Sequence, residues 1–455
     1  MELATPTRPT AESSSAAGAA PLVVYGLEDR LPLRTSLLVG AQHVAAMVVG
    51  TITPPLILAS ALKFSAEDTA YFINMALLAS GLGALLQCRR RGPLGSGLLS
   101  VTGTSFAFVQ PLIQAWHAGG FAMMFGLSCI AAPVQMVLAP LLPRLRRLFP
   151  PLVSGIVVLL IGASLVPTAF FGIATPVRPE APLWWGLIVA IVVIAVVVAM
   201  QAIGRTWARI TGVALAIVAG CLVCGLMGGL RAPAPGSEWI AVPRLLAHGF
   251  SFSWELLLPF GFIYLVSTLE AMGDMTATAQ LSGLPTRGDA HWKRLSGGVL
   301  ADGATCFASS LFGGFPSTTY AQNNGVIQIT GVASRRVGYT IAGIFAVLGL
   351  FPAVGRWVTV LPAPVLGGLA LFMFGLVTVS GIRILMSSGF GRREGLIAAL
   401  AIGVGLGLPT QKGLFATAPE AVRALFESGI SAGGLVALVL NLAWPAKRSA
   451  TVDTE

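Results

Sequence analysis

Apolar stretches, broken by short polar and charged clusters, follow one another along almost the whole chain. We distinguish fourteen of them, near residues 36–60, 69–87, 96–115, 120–140, 151–171, 183–201, 210–229, 255–279, 296–313, 317–331, 338–354, 361–379, 394–409 and 430–445. Runs such as LWWGLIVAIVVIAVVVAM at 183–200 are long enough to cross the hydrocarbon of a bilayer as helices. The pattern predicts an all-α polytopic membrane protein with fourteen transmembrane segments. An even number of segments places both termini on one side.

The third and tenth segments contain residues that do not favour an uninterrupted helix. The third reads LLSVTGTSFAFVQP, with Gly103 before a Thr-Ser pair and Pro111 after it. The tenth reads FGGFPSTTYAQNNG, with Gly313 and Pro316 before a β-prone STTY. We expect a short extended stretch in each, leading into a half-helix. The N-terminus of a half-helix has unpaired backbone N–H groups, which can face a polar ligand inside the membrane.

Short matches between the two halves of the chain predict an internal repeat. Two groups of positions match at nearly one offset: Pro151, Gly155 and Gly162 with Pro364, Gly368 and Gly375, and Thr104 to Ala107 with Thr318 to Ala321. An odd number of segments in each half forces the second half to be inverted relative to the first. We therefore predict two inverted repeats of seven segments, an architecture found in secondary transporters.

The charges fit this topology better than a nucleic-acid partner. The chain has a net charge of +10, yet only 10% of its residues are charged, far fewer than in soluble domains. With a cytoplasmic N-terminus, seven of the 28 basic residues would lie outside, namely Lys63, Arg178, Arg231, Arg244, Arg356, Lys412 and Arg423. The other 21 would lie inside, as the positive-inside rule requires. We predict a multi-pass protein of the cytoplasmic membrane with both termini cytoplasmic.

Three acidic residues fall well inside the predicted spans: Glu270, Asp274 and Asp302. Glu270 and Asp274 are four residues apart and therefore share one face of a helix. A carboxylate at this depth is costly unless it is paired, binds a ligand or carries a proton. We expect Glu270 to meet a ligand or a proton rather than to fasten two helices. For Asp302, fastening of the tenth segment and direct coupling both remain open.

Other polar and aromatic residues in the spans are candidates for the same site. His43 either titrates or is a satisfied structural histidine. Phe106 and Tyr320 occupy matching places in the two broken segments, where an aromatic face suits a flat heterocycle, although for Tyr320 we prefer core packing. A planar ligand with alternating N–H and C=O groups would suit Glu270, Gln322 and the free backbone N–H groups. An amino acid or a carboxylate is also compatible with this set.

Catalytic and metal-binding patterns receive less support. The five cysteines are scattered, and the pair at Cys221 and Cys224 has no second ligand pair nearby. An integral membrane enzyme would need a metal cluster or a nucleophile–base pair, yet no HExxH or GxSxG pattern lies near any of the four histidines in the sequence. We therefore expect no catalytic residue, no metal and no resident cofactor.

Taken together, these residues resemble the nucleobase–ascorbate transporter family, also called the nucleobase:cation symporter-2 family. The family signature is an amide or acid, Asn, any residue, Gly, four residues and Thr, and residues 322–330 read QNNGVIQIT. Five further motifs accompany it: QH at 42–43, GTSF at 103–106, EAMGD at 270–274, LADG at 300–303 and PAPVLGGLALFMFG at 362–375. The resemblance covers nearly all of residues 25–445.

The resemblance implies a division into domains and a homodimer. It gives a core domain of segments 1–4 (25–147) and 8–11 (251–356) and a gate domain of segments 5–7 (148–250) and 12–14 (357–446). These lie between a tail at 1–24, which its composition predicts to be disordered, and a C-terminal tail at 447–455. The substrate would bind in the core domain, and the gate domain would form the dimer interface. Transport would be proton symport by an elevator-like movement of the core, so the co-transported proton replaces any cofactor.

The resemblance also implies a role for individual residues. Glu270 and Gln322 would bind the edge of a nucleobase, Phe106 would pack on its ring, and Ala321 would contribute backbone. Asn323 and Asp302 would support the site, while His43 and Asp274 would tune it.

The same comparison narrows the substrate. Uracil carriers of the family tend to have Glu at the place of Gln322 and His at the place of Asp274, whereas this chain resembles the xanthine and urate carriers. The small Ser105 would leave room for the extra C8 oxygen of urate. We therefore expect import of xanthine, urate or both, with a uracil or other nucleobase carrier of the same fold as the alternative.

Overall fold

The computed structural model describes residues 24–145, 150–203, 205–230, 232–233, 239–386, 389–411, 413–415 and 417–444. The predicted C-terminal tail and all of the predicted N-terminal tail except Val24 lie outside these ranges. The helices are α1 (Leu33–Leu62), α2 (Ala66–Cys88), α3 (Val109–Leu145), α4 (Pro151–Ile173), α5 (Trp184–Ala202), α6 (Thr206–Leu226), α7 (Trp254–Leu281), α8 (Asp289–Leu311), α9 (Gln322–Thr330), α10 (Val337–Leu350), α11 (Pro352–Thr359), α12 (Ala363–Met386), α13 (Arg392–Gly407), α14 (Glu420–Glu427) and α15 (Gly429–Ala443). Two strands, β1 (Thr102–Thr104) and β2 (Ser317–Thr319), complete the fold.

The long apolar helices confirm a multi-pass membrane protein. Among the described residues, eight helices are long and apolar enough to cross a bilayer, or nine when the bent pair α10 and α11 is counted as one span. The shorter helices α6, α9 and α15 fall where the seventh, tenth and fourteenth segments were predicted. The prediction of an all-α membrane protein is therefore confirmed at this coarser level.

Helix boundaries depart from the prediction at three places. The third and fourth segments are joined in α3, with non-helical backbone at Gly119 and Gly120 between them. Gly120 has φ 63° and ψ −152°, a conformation that a side chain with a Cβ rarely adopts. The eleventh segment ends at Leu350, four residues earlier than predicted, and α11 turns away from α10 by 72°. The amphipathic α14 was not predicted.

The extended stretches predicted in segments 3 and 10 are present as β1 and β2. They pair antiparallel, with Thr102 opposite Thr319 and Thr104 opposite Ser317. A 3-10 turn at Phe106–Phe108 follows β1 and leads into α3, while α9 begins three residues after β2. Each strand therefore ends at the start of a helix inside the protein.

Glycines let the helices around this pair approach closely. A Cβ on Gly155 of α4 would lie 2.5 Å from the Leu385 nitrogen of α12, so the two backbones touch there. Gly368, which the predicted repeat matches to Gly155, instead contacts Ala190 of α5. Gly375 has nothing within 4 Å of such a Cβ, whereas its match Gly162 is packed on α12. The matched glycines therefore do not share one packing role.

Candidate functional site

The site lies where the two broken segments meet α7. The Phe106 turn and α9 both begin beside the strand pair, and α7 packs against β2 and α9. Within the described ranges, the backbone N–H groups of Phe106, Ala321 and Gln322 have no acceptor. Because these groups also lie at the positive ends of helix dipoles, they can bind carbonyl oxygens of a ligand.

The two carboxyl groups on the inner face of α7 differ in their partners. The Thr319 hydroxyl of β2 donates to Asp274 Oδ2 at 3.3 Å. Glu270, one turn earlier, is half-buried and has neither a hydrogen bond nor an ion pair with any described residue. Its carboxylate oxygens are therefore available to N–H groups of a ligand.

Two of the three consecutive amides fasten α9 to its neighbours. Asn323 Nδ2 donates to the Leu99 carbonyl at 2.6 Å, and the Thr278 hydroxyl donates to Asn324 Oδ1 at 2.6 Å. Both asparagines are buried. Gln322 is half-buried at the first position of α9 and makes no side-chain hydrogen bond with a described residue. It is the amide of this group that a ligand can reach.

Aromatic residues beside the strand pair differ in role. Phe106 is 9% exposed, and its ring packs edge-on against Phe374 of α12 with centroids 5.4 Å apart. The Tyr320 hydroxyl donates to the Thr104 carbonyl at 2.8 Å, and its ring lies in the core. The preference for core packing at Tyr320 is therefore confirmed. Ser105 caps the 3-10 turn, because its hydroxyl accepts from the Ala107 nitrogen at 3.3 Å.

His43 and Asp302 lie deeper than the residues above. Both are 0% exposed. The imidazole of His43 lies beside the Asn323 side chain, and the Asn323 Oδ1 atom has no donor among the described residues. The Asp302 carboxylate accepts one hydrogen bond, from Gln135 Nε2 of α3 at 3.0 Å. Neither side chain is positioned to touch a ligand that rests on Glu270 and Gln322.

Sequence reasoning missed three residues of this network: Gln135, Thr278 and Thr319. Gln135 carried a usable signal, since it is an amide within the apolar run LSCIAAPVQMVLAP and a buried amide needs a partner. Thr278 and Thr319 carried none, because threonine is common in membrane helices and in strands alike. In the same described part of the chain, no group of three His, Cys, Asp or Glu residues could hold a metal ion.

A cavity of about 1100 Å³ lies apart from this site. It is lined by the start of α2, the segment 239–248 before α7, helix α11 and the start of α12. Arg244 and Arg356 are among its residues, and none of the candidate site residues is. The cavity is therefore distinct from the candidate site.

The fold is similar to that of two membrane transporters of known structure. The transmembrane domain of a cyanobacterial bicarbonate transporter, BicA, superposes with a TM-score of 0.57 over 92% of this chain and 99% of that chain, at 15% identity. The murine solute carrier 26 family member A9 anion transporter, in its inward-facing state, gives a TM-score of 0.60 over 96% of this chain and 73% of that chain, at 14% identity. At these identities the similarity shows the fold alone.

Sequence comparison identifies the family. Residues 34–414 match the model of the permease family, and the chain belongs to this nucleobase–ascorbate transporter family. Xanthine permease XanP of Escherichia coli (strain K12) is 42% identical over 94% of this chain and 95% of its own length. Xanthine permease XanQ of the same strain is 40% identical over 93% of this chain and 94% of its own length. The family resemblance read from the sequence is confirmed, and these relatives are permeases rather than enzymes.

Proposed function

We propose that this protein is a proton-coupled symporter that imports the oxidised purines xanthine and urate across the cytoplasmic membrane. The observation that carries the proposal is a half-buried Glu270 carboxylate beside two helix N-termini, where neither the carboxylate nor the N–H groups have a partner among the described residues. Its substrate class comes from the two curated relatives, which are both named xanthine permeases.

An oxopurine offers the donors and acceptors that this site lacks. Ring N–H groups donate to Glu270, while Gln322 offers both a donor and an acceptor to the opposite edge. The free N–H groups of Ala321 and Phe106 receive carbonyl oxygens. Phe106 packs on the ring face, and its edge-on contact with Phe374 joins the substrate to α12. Every hydrogen bond here replaces one that the purine loses with water.

Asn323, Asp274 and Ser105 serve the site indirectly. Asn323 fixes the start of α9, and Asp274 ties α7 to β2 through Thr319. Ser105 is small, and its hydroxyl is held by the Ala107 nitrogen, so it leaves space beside Phe106 for the C8 oxygen of urate. This arrangement supports urate as a second substrate.

Proton coupling is assigned to the deeper pair of residues, Asp302 and His43. Both are fully buried, so a charge on either is costly unless the charge is compensated. No resident cofactor is needed, because the proton gradient drives net import. The co-transported proton is the only partner that the mechanism requires besides the purine.

The proposed architecture has fourteen segments in two inverted repeats, with the core and gate domains bounded as in the sequence analysis. Phe106 is the first residue of the turn after β1, and Tyr320 directly follows β2. These similar positions after the two strands support the repeat. Phe106 and Phe374 would then meet across the core–gate boundary. A homodimer through the gate domain is part of the proposal.

The distribution of charges supports cytoplasmic termini. The cavity that contains Arg244 and Arg356 also includes Thr175 to Val177, next to Arg178, and Ala66 to Asp68, near Lys63. These residues belong to connections and to helices next to them that the sequence analysis assigns to the outside. Arg294 lies near Arg90 and Arg335, and all three are assigned to the inside; Arg294 is also within reach of Glu28.

Uptake of labelled xanthine into cells that express the chain tests the proposal. We expect excess urate to compete and uracil not to compete, and we expect a protonophore to abolish uptake. Glu270→Gln should abolish uptake, whereas Glu255→Gln should not, because Glu255 lies in the first turn of α7 and is bonded to Ser253. Uptake of uracil instead of xanthine would refute the substrate assignment. Absence of nucleobase uptake, with the protein present in the membrane, would refute the function.

A further inference from the structure

A buried amide and a buried acid face each other between α3 and α8. Gln135 and Asp302 are both 0% exposed, and Gln135 Nε2 donates to Asp302 Oδ2 at 3.0 Å. The helices are held close at this point, since a Cβ on Gly303 would lie 2.8 Å from Met136 and 3.3 Å from the Gln135 Cβ. The pair is therefore fixed by packing as well as by its hydrogen bond.

The other polar atom of each side chain has no partner among the described residues. Asp302 Oδ1 and Gln135 Oε1 are both buried and both lack a donor. Two bare oxygens on one bonded pair are unusual, because buried polar atoms are nearly always satisfied. An ionised carboxylate and an amide oxygen cannot bond to each other, since both only accept. A protonated carboxyl group has one O–H donor and removes the conflict.

We propose that Gln135 and Asp302 form the proton-binding site of this transporter, with the proton on Asp302 Oδ1 donated to Gln135 Oε1. Together with the bond from Gln135 Nε2 to Asp302 Oδ2, this closes a ring in which every polar atom of the pair has a partner. The proton is bound from water as the carboxylate becomes a carboxylic acid, and it leaves by the reverse step. This proposal deepens the proposed function. The role of the pair in coupling rests on that function, whereas the binding of a proton by the pair does not.

The groups around the pair favour the uncharged form. Glu270 and Asp274 of α7 lie close enough to interact with Asp302 through their charges, as do Tyr264 of α7 and Cys306 of α8. These neighbours are acids or neutral groups, and no cation stands among them. A negative charge on Asp302 would therefore be repelled by the carboxylates of α7.

The ring also explains why an amide rather than a hydroxyl stands at position 135. A hydroxyl would have to donate and accept through its single oxygen, which cannot line up with both carboxyl oxygens. The amide does both at once and keeps the Nε2 bond whether or not the proton is present. Loss of the proton opens only half of the ring and leaves the two oxygens facing each other. Proton release therefore weakens the contact of α3 with α8 without breaking it, so Gln135 acts as a positioning residue for the proton.

Infrared difference spectroscopy of the full-length protein in lipid vesicles tests the pair directly. Substrate is omitted, so the outcome does not depend on xanthine being transported. At neutral pH we expect a protonated carboxyl band that is absent in Asp302→Asn. In Gln135→Leu the band should move to the frequency of a carboxyl group without a hydrogen bond. The pH at which half of it is lost should shift by about one unit, as for one hydrogen bond made in a single protonation state.

Gln87→Leu is the matched control. Gln87 is also 0% exposed, donates to a backbone carbonyl of α8, Gly298, at 2.9 Å, and also has a bare Oε1, but it faces no carboxyl group. It should leave the Asp302 band and its titration unchanged. In uptake assays Gln135→Leu, but not Gln87→Leu, should change the pH profile.

Two results would overturn the proposal. One is the absence of an Asp302-dependent carboxyl band at neutral pH. The other is a band that Gln135→Leu neither moves nor retitrates, or that Gln87→Leu moves equally. If the band behaves as expected but xanthine is not transported, the pair stands as a proton site and the proposed substrate fails.

Discussion

The Glu270→Gln variant tests whether the Glu270 carboxylate binds a ligand or fastens helices together. Glu270 has no hydrogen bond or ion pair with the described residues, so its whole capacity to accept is open to the purine. A hydrogen bond to a charged group contributes about 1.5–3 kcal/mol. The amide keeps one acceptor and turns a donor towards the second ring N–H, so at least one such bond is lost. The dissociation constant for xanthine should then rise by about 10- to 150-fold.

The same substitution should not destabilise the protein. A half-buried carboxylate without a partner costs free energy, and an amide of the same shape costs less. We therefore expect the thermal unfolding midpoint of purified protein, without substrate, to stay unchanged or to rise. Isothermal titration with xanthine would measure the binding loss on the same preparation.

Asn324→Ala provides the opposite signature. Asn324 accepts from Thr278 and donates to the Asp274 carbonyl at 3.3 Å, so its loss leaves buried groups unsatisfied and should cost about 1–3 kcal/mol of stability. If Glu270→Gln lowers the midpoint in the same way while xanthine binding is retained, Glu270 fastens helices and our assignment is wrong.

Three further changes test the scaffold. Gly103→Ala should lower the unfolding free energy by about 1–3 kcal/mol, because the new Cβ would lie 2.5 Å from the Tyr320 ring. Thr319→Val keeps the shape of the side chain but removes its bond to Asp274, and should cost about 0.5–1.5 kcal/mol by the same thermal assay. Burial lowers the pKa of His248, which lies outside the spans, so its protonation disfavours the folded state. Stability should therefore fall as the pH drops below about 6.5, and less so in the His248→Phe variant.

Each of these changes has its own control. Gly273→Ala on α7 adds the same methyl group where nothing lies within 4 Å, so it should be neutral or slightly stabilising. Thr268→Val removes a hydroxyl that bonds to the Tyr264 carbonyl within α7 and not to β2. An unfolding midpoint that depends equally on pH with and without His248 would contradict the third prediction. Equal losses in Gly103→Ala and Gly273→Ala would contradict the first.

Hydrophobic patterning predicted most of the helices because the bilayer imposes a length and a polarity on each one. It could not separate α10 from α11, since the segment stays apolar through Leu350 while the backbone turns at Pro352. It also left the residues between the thirteenth and fourteenth predicted segments as a loop, although the short helix α14 forms there. These boundaries depend on how an amphipathic helix lies against its neighbours, which periodicity alone does not give.

The candidate site was predictable by residue type but not by partner. Three consecutive amides are costly to bury in a membrane, so the sequence pointed to residues 322–324. Only the orientation of α9 in the structure shows that Gln322 is accessible and Asn323 is not. The bond between Gln135 and Asp302 joins positions 167 residues apart, and no local pattern records it. Long-range pairing of this kind follows from packing at Gly303 rather than from the sequence around either residue.

The polar side chains of the site that lack partners among the described residues fall into two sets by their exposure. The two sets suit different cargoes. Glu270 and Gln322 are half-buried, so a purine could reach them and supply the partners that they lack. Asp302, Gln135 and His43 are fully buried, so a purine cannot reach them, whereas a proton can. Because α7 presents Glu270 to both sets, a charge change at Asp302 acts on the carboxylate that the purine needs. Under the proposed function, this arrangement would separate the purine and the proton in space and would link them electrostatically through α7.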